Sequence, residues 1–409
     1  MKKFHRVPVL IIDNTFTFGG AINSLHHLIS ALDKEQFNPV IVTGQSKKFL
    51  TDHFDCIWYR YVPNLPWVNN RIFRKIVRLP VYRLNFARKT INYSRFIIRF
   101  FCINLPEALW YYRVGKKHNV ALLHLNNGFP GHLSGLVAAK LLRVPCVGHL
   151  RGFIEEGFSN SLLARCVDHH IAISKAVYDL MRRIKIPEDR ISIVHNAINL
   201  AKFRPSGNTH ALREEFELTT KTPTFGLFTR IVGWKGVREF IYAAGIVISE
   251  IPEARAFVVG DSSDGDEKFF EEMKRLVLSL GLSVKIIFTG FREDVPSLME
   301  IMDVIVLASI EPEPFGRVII EGMAMEKPIV ATGAGGPLDI VVEGETGFLV
   351  EPKDVKAMAD AINILLRNPE LQKTMGLAGR KRAERLFDNK LYGDKMANVY
   401  KLVMDSGKL

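Results

Sequence analysis

Residues 304–332 read VIVLASIEPEPFGRVIIEGMAMEKPIVAT. The short apolar run Val304–Ala308 predicts a buried strand, and the apolar spacing over Val318–Met325 predicts a helix. Pro328–Thr332 is a second apolar run of strand length. A strand, a helix and a strand in this order are typical of a parallel βαβ unit.

The same alternation extends along the chain in both directions. The polar stretch Leu200–Pro223 separates two series of strands and helices. We therefore predict an α/β fold with two Rossmann-like domains facing a central cleft, where the carboxyl ends of parallel strands bind ligands. The predicted parts are domains at 1–200 and 223–388, a hinge at 201–222, and a C-terminal helix at 389–409 that packs back on the first domain.

Length and composition exclude several classes of protein. The 409 residues suffice for two or three domains. A hydrophobic share of 47% excludes disorder as the main state. The cysteines stand apart without a CxxC pair, which excludes a disulfide scaffold and a cysteine zinc site and fits a reducing compartment. They are Cys56, Cys102, Cys146 and Cys166.

The start of the chain and its apolar runs predict a cytoplasmic location. Met1-Lys2-Lys3 precedes a short apolar run, Val7–Ile12, which ends at Asp13 and predicts a strand rather than a secretory signal. No apolar run reaches the roughly 18 residues of a membrane-spanning helix.

The formal net charge of +12 is concentrated in one insertion of the first domain, at about 64–117. Asn64–Lys117 holds 12 Lys and Arg residues and one acid, Glu107. Within Arg71–Leu84, apolar residues at helical spacing are accompanied by Arg71, Arg74, Lys75 and Arg78. This pattern favours binding to an anionic membrane surface over binding to nucleic acid or a solvated insertion.

Two carboxylates, Glu313 and Glu321, flank a predicted loop and helix start. Gly316 allows the backbone to approach a ligand, and a helix N-terminus attracts anions. Carboxylates beside a phosphate site are expected where they accept hydrogen bonds from sugar or ribose hydroxyls. The alternative is an ordinary acidic loop and helix face.

Two cations follow the predicted strand Phe225–Thr229. Arg230 and Lys235 stand near the start of the next helix. An arginine fork and a lysine point charge can together neutralise a diphosphate leaving group. The alternative is a solvated basic turn.

The segments around these residues resemble the retaining glycosyltransferases of family 4, which have the two-Rossmann GT-B architecture. The resemblance covers nearly the whole chain and is strongest over Thr224–Pro352. It implies that Glu313 lies by the donor sugar, that Glu321 holds the ribose hydroxyls, and that Arg230 and Lys235 stabilise the leaving diphosphate. It also assigns the diphosphate to the backbone of Phe315, Gly316, Arg317 and Val318.

The resemblance also extends to loops whose side chains carry a weaker signal. The backbone at Arg292 is expected to bind the nucleotide base, and Gly20, in Phe18-Gly19-Gly20, to lie close to the ligand. The absence of a GxGxxG pattern there argues against a dinucleotide oxidoreductase. A histidine that contacts the donor sugar in relatives corresponds either to His149 or, by the commonest spacing, to Arg151.

These observations predict a retaining enzyme of the hexosyltransferase class. It is expected to move a sugar from a nucleotide-sugar donor to a lipid-linked or polysaccharide acceptor, as a peripheral protein on the cytoplasmic face of the membrane. Polysaccharide and lipopolysaccharide assembly both fit. No cofactor, metal or nucleic acid is expected, and Asp264-Gly-Asp266 is not taken as a metal site. The alternatives are an inactive membrane-docked partner subunit and a sugar-nucleotide epimerase of the same architecture.

Overall fold

The computed structural model describes residues 6–14, 20–46, 50, 55–61, 85–262 and 265–406. Several predicted features therefore lie outside the described residues. They are the start of the chain, Phe18-Gly19, Asp264, the end of the C-terminal helix at 407–409, and the four membrane-binding candidates Arg71, Arg74, Lys75 and Arg78.

The chain folds into two compact units. The first comprises the described residues within Met1–Ala172, Tyr178–Ile193 and Gly393–Leu409, and the second comprises Ile173–Val177 and Val194–Tyr392. Each unit holds one parallel sheet, so the prediction of two Rossmann-like α/β domains is confirmed.

The sheet of the first unit has the strand order β3-β2-β1-β4-β5-β6-β7. Its strands are β1 (Val7–Asp13), β2 (Phe37–Thr43), β3 (Ile57–Arg60), β4 (Leu122–Leu125), β5 (Cys146–Leu150), β6 (His169–Ala172) and β7 (Ile191–Ile193). The central strand β1 has four consecutive, nearly inaccessible apolar residues, Val9–Ile12, as expected for a strand covered on both faces.

The described helices of the first unit are α1 (Gly20–Ala31), α2 (Asn85–Arg99), α3 (Leu105–Lys117), α4 (Leu133–Leu142), α5 (Phe158–Ala164) and α6 (Lys175–Arg183), the last of which begins within the second unit. A π-helical turn, Phe100–Asn104, joins α2 to α3. The basic insertion is thus helical from Asn85 onward.

The sheet of the second unit has the order β10-β9-β8-β11-β12-β13. Its strands are β8 (Thr224–Phe228), β9 (Arg255–Val259), β10 (Ile286–Gly290), β11 (Val304–Leu307), β12 (Ile329–Thr332) and β13 (Gly347–Val350). Its helices are α7 (His210–Glu215), α8 (Val237–Glu250), α9 (Glu267–Ser279), α10 (Val295–Glu300), α11 (Arg317–Ala324), α12 (Pro337–Ile340), α13 (Val355–Leu366) and α14 (Pro369–Leu386). The strand order reverses direction between β8 and β11, and ligands bind at such a switch point in open α/β sheets.

Residues 201–222, predicted as a hinge, are part of the second unit. They contain α7, and the backbone N–H groups of Ser206 and Gly207 donate hydrogen bonds of 2.9 and 2.6 Å to Glu300. Glu300 thus satisfies two backbone N–H groups of this loop, and the hinge role of 201–222 stays a prediction.

The last helix, α15 (Asn389–Ser406), belongs to the first unit from Gly393 onward. Gly393 lies so close to α1 that a Cβ atom there would be 2.1 Å from the carbonyl oxygen of Ala31. Further along, the ring of Tyr400 packs edge-on against Phe37, with 5.5 Å between centroids. These contacts bring α15 against α1 and β2.

Candidate active site

The two strands at the switch point of the second sheet each deliver one charged side chain to its carboxyl edge. Lys235 follows β8, and Glu313 follows β11. The Nζ atom of Lys235 donates a short hydrogen bond to Oε1 of Glu313. Both side chains are largely buried, with exposed fractions of 16% and 8%.

A glycine makes this approach possible. Gly236 has a φ of +69° and caps α8, and a Cβ atom there would lie 1.7 Å from the carbonyl oxygen of Ala308. The Lys235 turn therefore packs directly on the end of β11. The backbone N–H of Ile310 also donates to the carbonyl of Trp234 at 2.9 Å.

The immediate surroundings of the pair hold both side chains in place. The Nζ atom of Lys235 lies 4.1 Å from the centroid of the Trp234 ring, which is a cation–π contact. The second carboxylate oxygen of Glu313, Oε2, is buried and has no hydrogen-bond partner within the described residues. A buried acceptor of this kind is costly unless a ligand donates to it.

A second loop clamps the backbone of Glu313. The N–H of Glu313 donates to Ala334 at 3.0 Å, and the N–H of Gly336 donates to the carbonyl of Glu313 at 2.7 Å. A Cβ atom at Gly336 would lie 2.4 Å from the Cα atom of Phe315. Gly336 thus allows this loop to lie in close backbone contact with the Glu313–Phe315 segment.

Helix α11 begins directly after this loop. Gly316, at a φ of +96°, is its N-cap, so the N–H groups at Arg317 and Val318 lie in the first turn, where no intrahelical acceptor exists. Phe315 stabilises this turn, because its buried ring packs against the rings of His195 and Phe387, each with a centroid distance of 6.0 Å.

Glu321 lies one turn into α11 and pairs with Arg317 at 3.3 Å. These side chains are only 17% and 18% exposed. The sequence pattern assigned a role only to the backbone of Arg317. However, the spacing of four residues between Arg317 and Glu321 on one helix predicts that their side chains meet. The side chain of Arg317 adds a cation beside Glu321 within α11.

The remaining predicted residues of the second unit differ in their surroundings. Arg230 is exposed directly after β8. Arg292, after β10, is held by Asp294 at 2.8 Å and by Glu215 at 2.6 Å, and these hydrogen bonds raise the pKa of its guanidinium above its usual range. Because this charge is neutralised within the protein, Arg292 is better suited to offer its backbone to a ligand.

In the first unit, His149 and Arg151 lie at the end of β5. The ring of His149 is fully buried, whereas Arg151 is partly accessible. Arg151 donates to Oδ1 of Asn126 at 2.8 Å and approaches Nδ1 of His149 at 3.3 Å. Of the two side chains, that of Arg151 is therefore the one that is accessible to a ligand. Gly20, the other predicted ligand-binding residue of this unit, is the first residue of α1.

Two features are absent from the described part of the chain. It contains no group of three or more His, Cys, Asp or Glu residues that could hold a metal ion. Its helices include none with the length and apolar character needed to cross a bilayer.

Comparison with known proteins gives matches for both halves. Residues 18–202 match the model of "Glycosyltransferase Family 4", and residues 208–382 match "Glycosyl transferases group 1". The capsular polysaccharide biosynthesis glycosyltransferase CapM of Staphylococcus aureus is 29% identical over 68% of this chain and 76% of its own length.

Two further relatives have informative names. The UDP-Gal:α-D-GlcNAc-diphosphoundecaprenol α-1,3-galactosyltransferase of Escherichia coli is 25% identical over 72% of this chain and 81% of its own. The crystal structure of Anabaena HepE in complex with UDP and glucose superposes with a TM-score of 0.77 at 23% identity, covering 96% of this chain and 99% of that one. This last likeness concerns the fold.

Proposed function

Because the chain belongs to the glycosyltransferases of the family 4 type, we propose that it moves a sugar from a nucleotide-sugar donor to a lipid-linked or glycan acceptor, with retention of configuration at the anomeric carbon. The observation that carries this proposal is the Lys235–Glu313 pair at the switch point beside the N-terminus of α11. The assembly of a cell-surface polysaccharide is the proposed setting, in line with the name of CapM.

The diphosphate of the donor is proposed to lie at the start of α11. The N–H groups of the first turn, which have no acceptor within the helix, and the helix dipole favour an anion there. Lys235 adds a positive charge close to Glu313, and the exposed Arg230 can swing toward the same phosphates. Together they stabilise the charge that develops as the diphosphate leaves.

The hydroxyl groups of the donor are proposed to meet the two carboxylates. Oε2 of Glu313 is a buried acceptor, and a sugar hydroxyl would supply the missing hydrogen bond. Glu321, which is partly accessible in α11, is proposed to accept hydrogen bonds from the ribose hydroxyls. The backbone near Phe291, whose ring is 64% exposed, is proposed to contact the base.

The chemical step is proposed as a same-face substitution. The bond from the anomeric carbon to the phosphate oxygen breaks while the acceptor oxygen bonds to that carbon on the same face. The proton of the acceptor hydroxyl passes to the departing phosphate. The protein then contributes positioning and charge stabilisation, and cationic side chains with a helix dipole serve where other enzymes use a metal.

The acceptor is proposed to be presented at an anionic membrane on the cytoplasmic side. The basic insertion supplies the charge, and its described helix α2 with the following turn exposes large apolar rings: Tyr93 is 67%, Phe96 55% and Phe101 60% accessible. Cations beside exposed aromatic rings suit the interface of an anionic bilayer. A lipid-linked acceptor agrees with the name of the E. coli relative.

Nucleotide release from UDP-, GDP- and ADP-sugars, with and without a polyprenyl-lipid extract, tests the transfer. We expect release from one donor, an increase with lipid, loss in Glu321→Ala and retention in the matched surface variant Glu272→Ala. The product should keep the anomeric configuration of the donor by proton NMR. Absence of release by folded protein, or an inverted product, would contradict the proposal.

Cosedimentation with vesicles containing anionic phospholipid tests the membrane contact. Replacing Arg71, Arg74, Lys75 and Arg78 by glutamine should release the protein from the vesicles. The matched control replaces four exposed cations of the second unit by glutamine: Lys268, Lys274, Arg275 and Lys353. Equal binding of both variants would show that net charge alone, rather than the insertion, drives association.

A further inference from the structure

A continuous set of buried polar side chains crosses the first sheet at the carboxyl ends of β1, β4 and β5. Asn126 donates to Asp13 at 2.8 Å and accepts from Nε and Nη2 of Arg151 at 3.0 and 2.8 Å. The same Nη2 atom lies 3.3 Å from Nδ1 of His149, whose ring lies 5.4 Å from that of His124. The set thus reaches from β1 to the interior of the sheet.

The far end of this set is a tyrosine of α15. The hydroxyl of Tyr400 lies 2.7 Å from Nδ1 of His124, and its ring is fully buried. Four residues from three separate segments of the chain therefore touch one another in this order: Tyr400, His124, His149 and Arg151. Of these four, Arg151 alone is accessible.

The contact between Arg151 and His149 fixes the protonation of the ring. A guanidinium can only donate hydrogen bonds, so Nδ1 of His149 must accept. The proton of the neutral imidazole then resides on Nε2, a buried atom without a partner among the described residues. Burial, with the nearby Arg151 and His124, lowers the pKa of His149 well below its usual range, in agreement with a neutral ring.

We propose that Tyr400, His124 and His149 are positioning residues that hold the guanidinium of Arg151 toward the substrate. His149 supplies the acceptor at Nδ1, His124 supports its ring, and Tyr400 fixes His124. Arg151 is then the group that touches an oxygen of the substrate. This inference rests on the proposed glycosyltransferase function for its kinetic consequences, but not for the tautomer.

Two substitutions of His149 separate this role from direct contact with the sugar. An asparagine amide can place an oxygen near the position of Nδ1, whereas a glutamine amide reaches the position of Nε2. We expect His149→Asn to lose less than about 5-fold in kcat and His149→Gln to lose about 30-fold, the scale of one hydrogen bond to a charged group. Rescue by glutamine instead of asparagine would overturn the proposal.

The contribution of Tyr400 is tested by removing its hydroxyl group. Tyr400→Phe keeps the ring on Phe37 and should lower kcat about 3- to 10-fold, the scale of one neutral hydrogen bond. Tyr392→Phe is the matched control, because Tyr392 is a buried tyrosine of the same helix whose hydroxyl has no partner among the described residues. Equal losses in the two variants would show a merely structural effect.

A measurement without substrate decides the tautomer. In protein with ¹⁵N-labelled histidine, assigned by comparison with His149→Asn, His149 should show an unprotonated Nδ1 and a protonated Nε2 from pH 8 to pH 5. A proton on Nδ1, or titration of the ring near pH 6.5, would refute the proposal. If no sugar donor supports turnover, the proposed function fails while this spectrum still tests the positioning set.

Discussion

Replacing Lys235 by methionine should separate the stability of the second unit from its activity. Methionine keeps the length of the side chain but leaves the Glu313 carboxylate, 8% exposed, without its cation. Removing one partner of a buried pair costs about 3–5 kcal/mol of unfolding free energy, and the residual exposure here places the expected loss at about 2–4 kcal/mol. Activity should fall about 10- to 100-fold, because one charge-assisted contact to the leaving diphosphate is lost.

The double variant Lys235→Met with Glu313→Gln gives the sharper test. It replaces the ion pair by two neutral groups, so most of the lost stability should return, since the uncompensated carboxylate is gone. Activity should not return, because neither the cation nor the anionic acceptor is restored. Lys235→Met alone would not distinguish an enzyme that is poorly folded from one that is folded but inactive.

Calorimetry and nucleotide release measure the two effects. The single variant should melt roughly 5–10 °C below the wild type, and the double variant within about 3 °C of it. Lys274→Met is the matched control, because Lys274 also contacts a ring, Phe270, at 4.2 Å and a carboxylate, Glu271, at 2.9 Å, but on the surface. Full activity in the double variant, or an unchanged melting temperature in the single variant, would contradict the roles assigned to Lys235 and Glu313.

Three further outcomes are expected. Glu321→Gln should weaken the binding of the donor's nucleoside diphosphate about 10-fold or more by calorimetry, and unchanged affinity would remove the ribose role. Gly336→Ala should lower turnover at least about 10-fold, since its Cβ atom would lie 2.4 Å from a backbone atom, whereas Gly333→Ala, with 3.6 Å to a side chain, should be tolerated. Acid should destabilise the fold, because burial lowers the pKa of His132 and His170 to about 4. Below pH 6.5 the two imidazoles bind protons in the unfolded state but not in the folded state. Between pH 7 and pH 5.5 each histidine should therefore lower the free energy of unfolding by about 1 kcal/mol. Urea unfolding at both pH values checks this, and a His132→Gln variant should show a weaker pH dependence than the wild type.

Much of the fold could be predicted from the apolar pattern. The strand–helix–strand pattern at 304–332 appears as β11, α11 and β12, with helix and strand ends shifted by only a residue or so. Parallel strands buried on both faces leave a continuous apolar run, which is a strong local signal. The return of α15 to the first unit was also predicted, although the contacts that hold it, such as that of Tyr400 with Phe37, join residues far apart in the sequence.

Only those parts of the site that are formed by residues close together in the sequence could be predicted. Glycines and charges close in sequence marked the turns at Lys235 and Gly316. The direct pairing of Lys235 with Glu313 joins residues 78 positions apart and has no counterpart in the sequence pattern. The same holds for Asn126 and Tyr400, ordinary polar residues whose importance comes from their placement beside Arg151 and His124.

The route of the chain between the two units has a practical consequence for exchanging parts among related enzymes. The polypeptide passes from one unit to the other four times, at 172/173, 177/178, 193/194 and 392/393. A hybrid joined once near residue 194 would therefore combine the first sheet of one parent with the last helix of another. Its Tyr400 equivalent would have to fit a foreign Phe37 and His124. A workable chimera must graft 393–406 together with the N-terminal half.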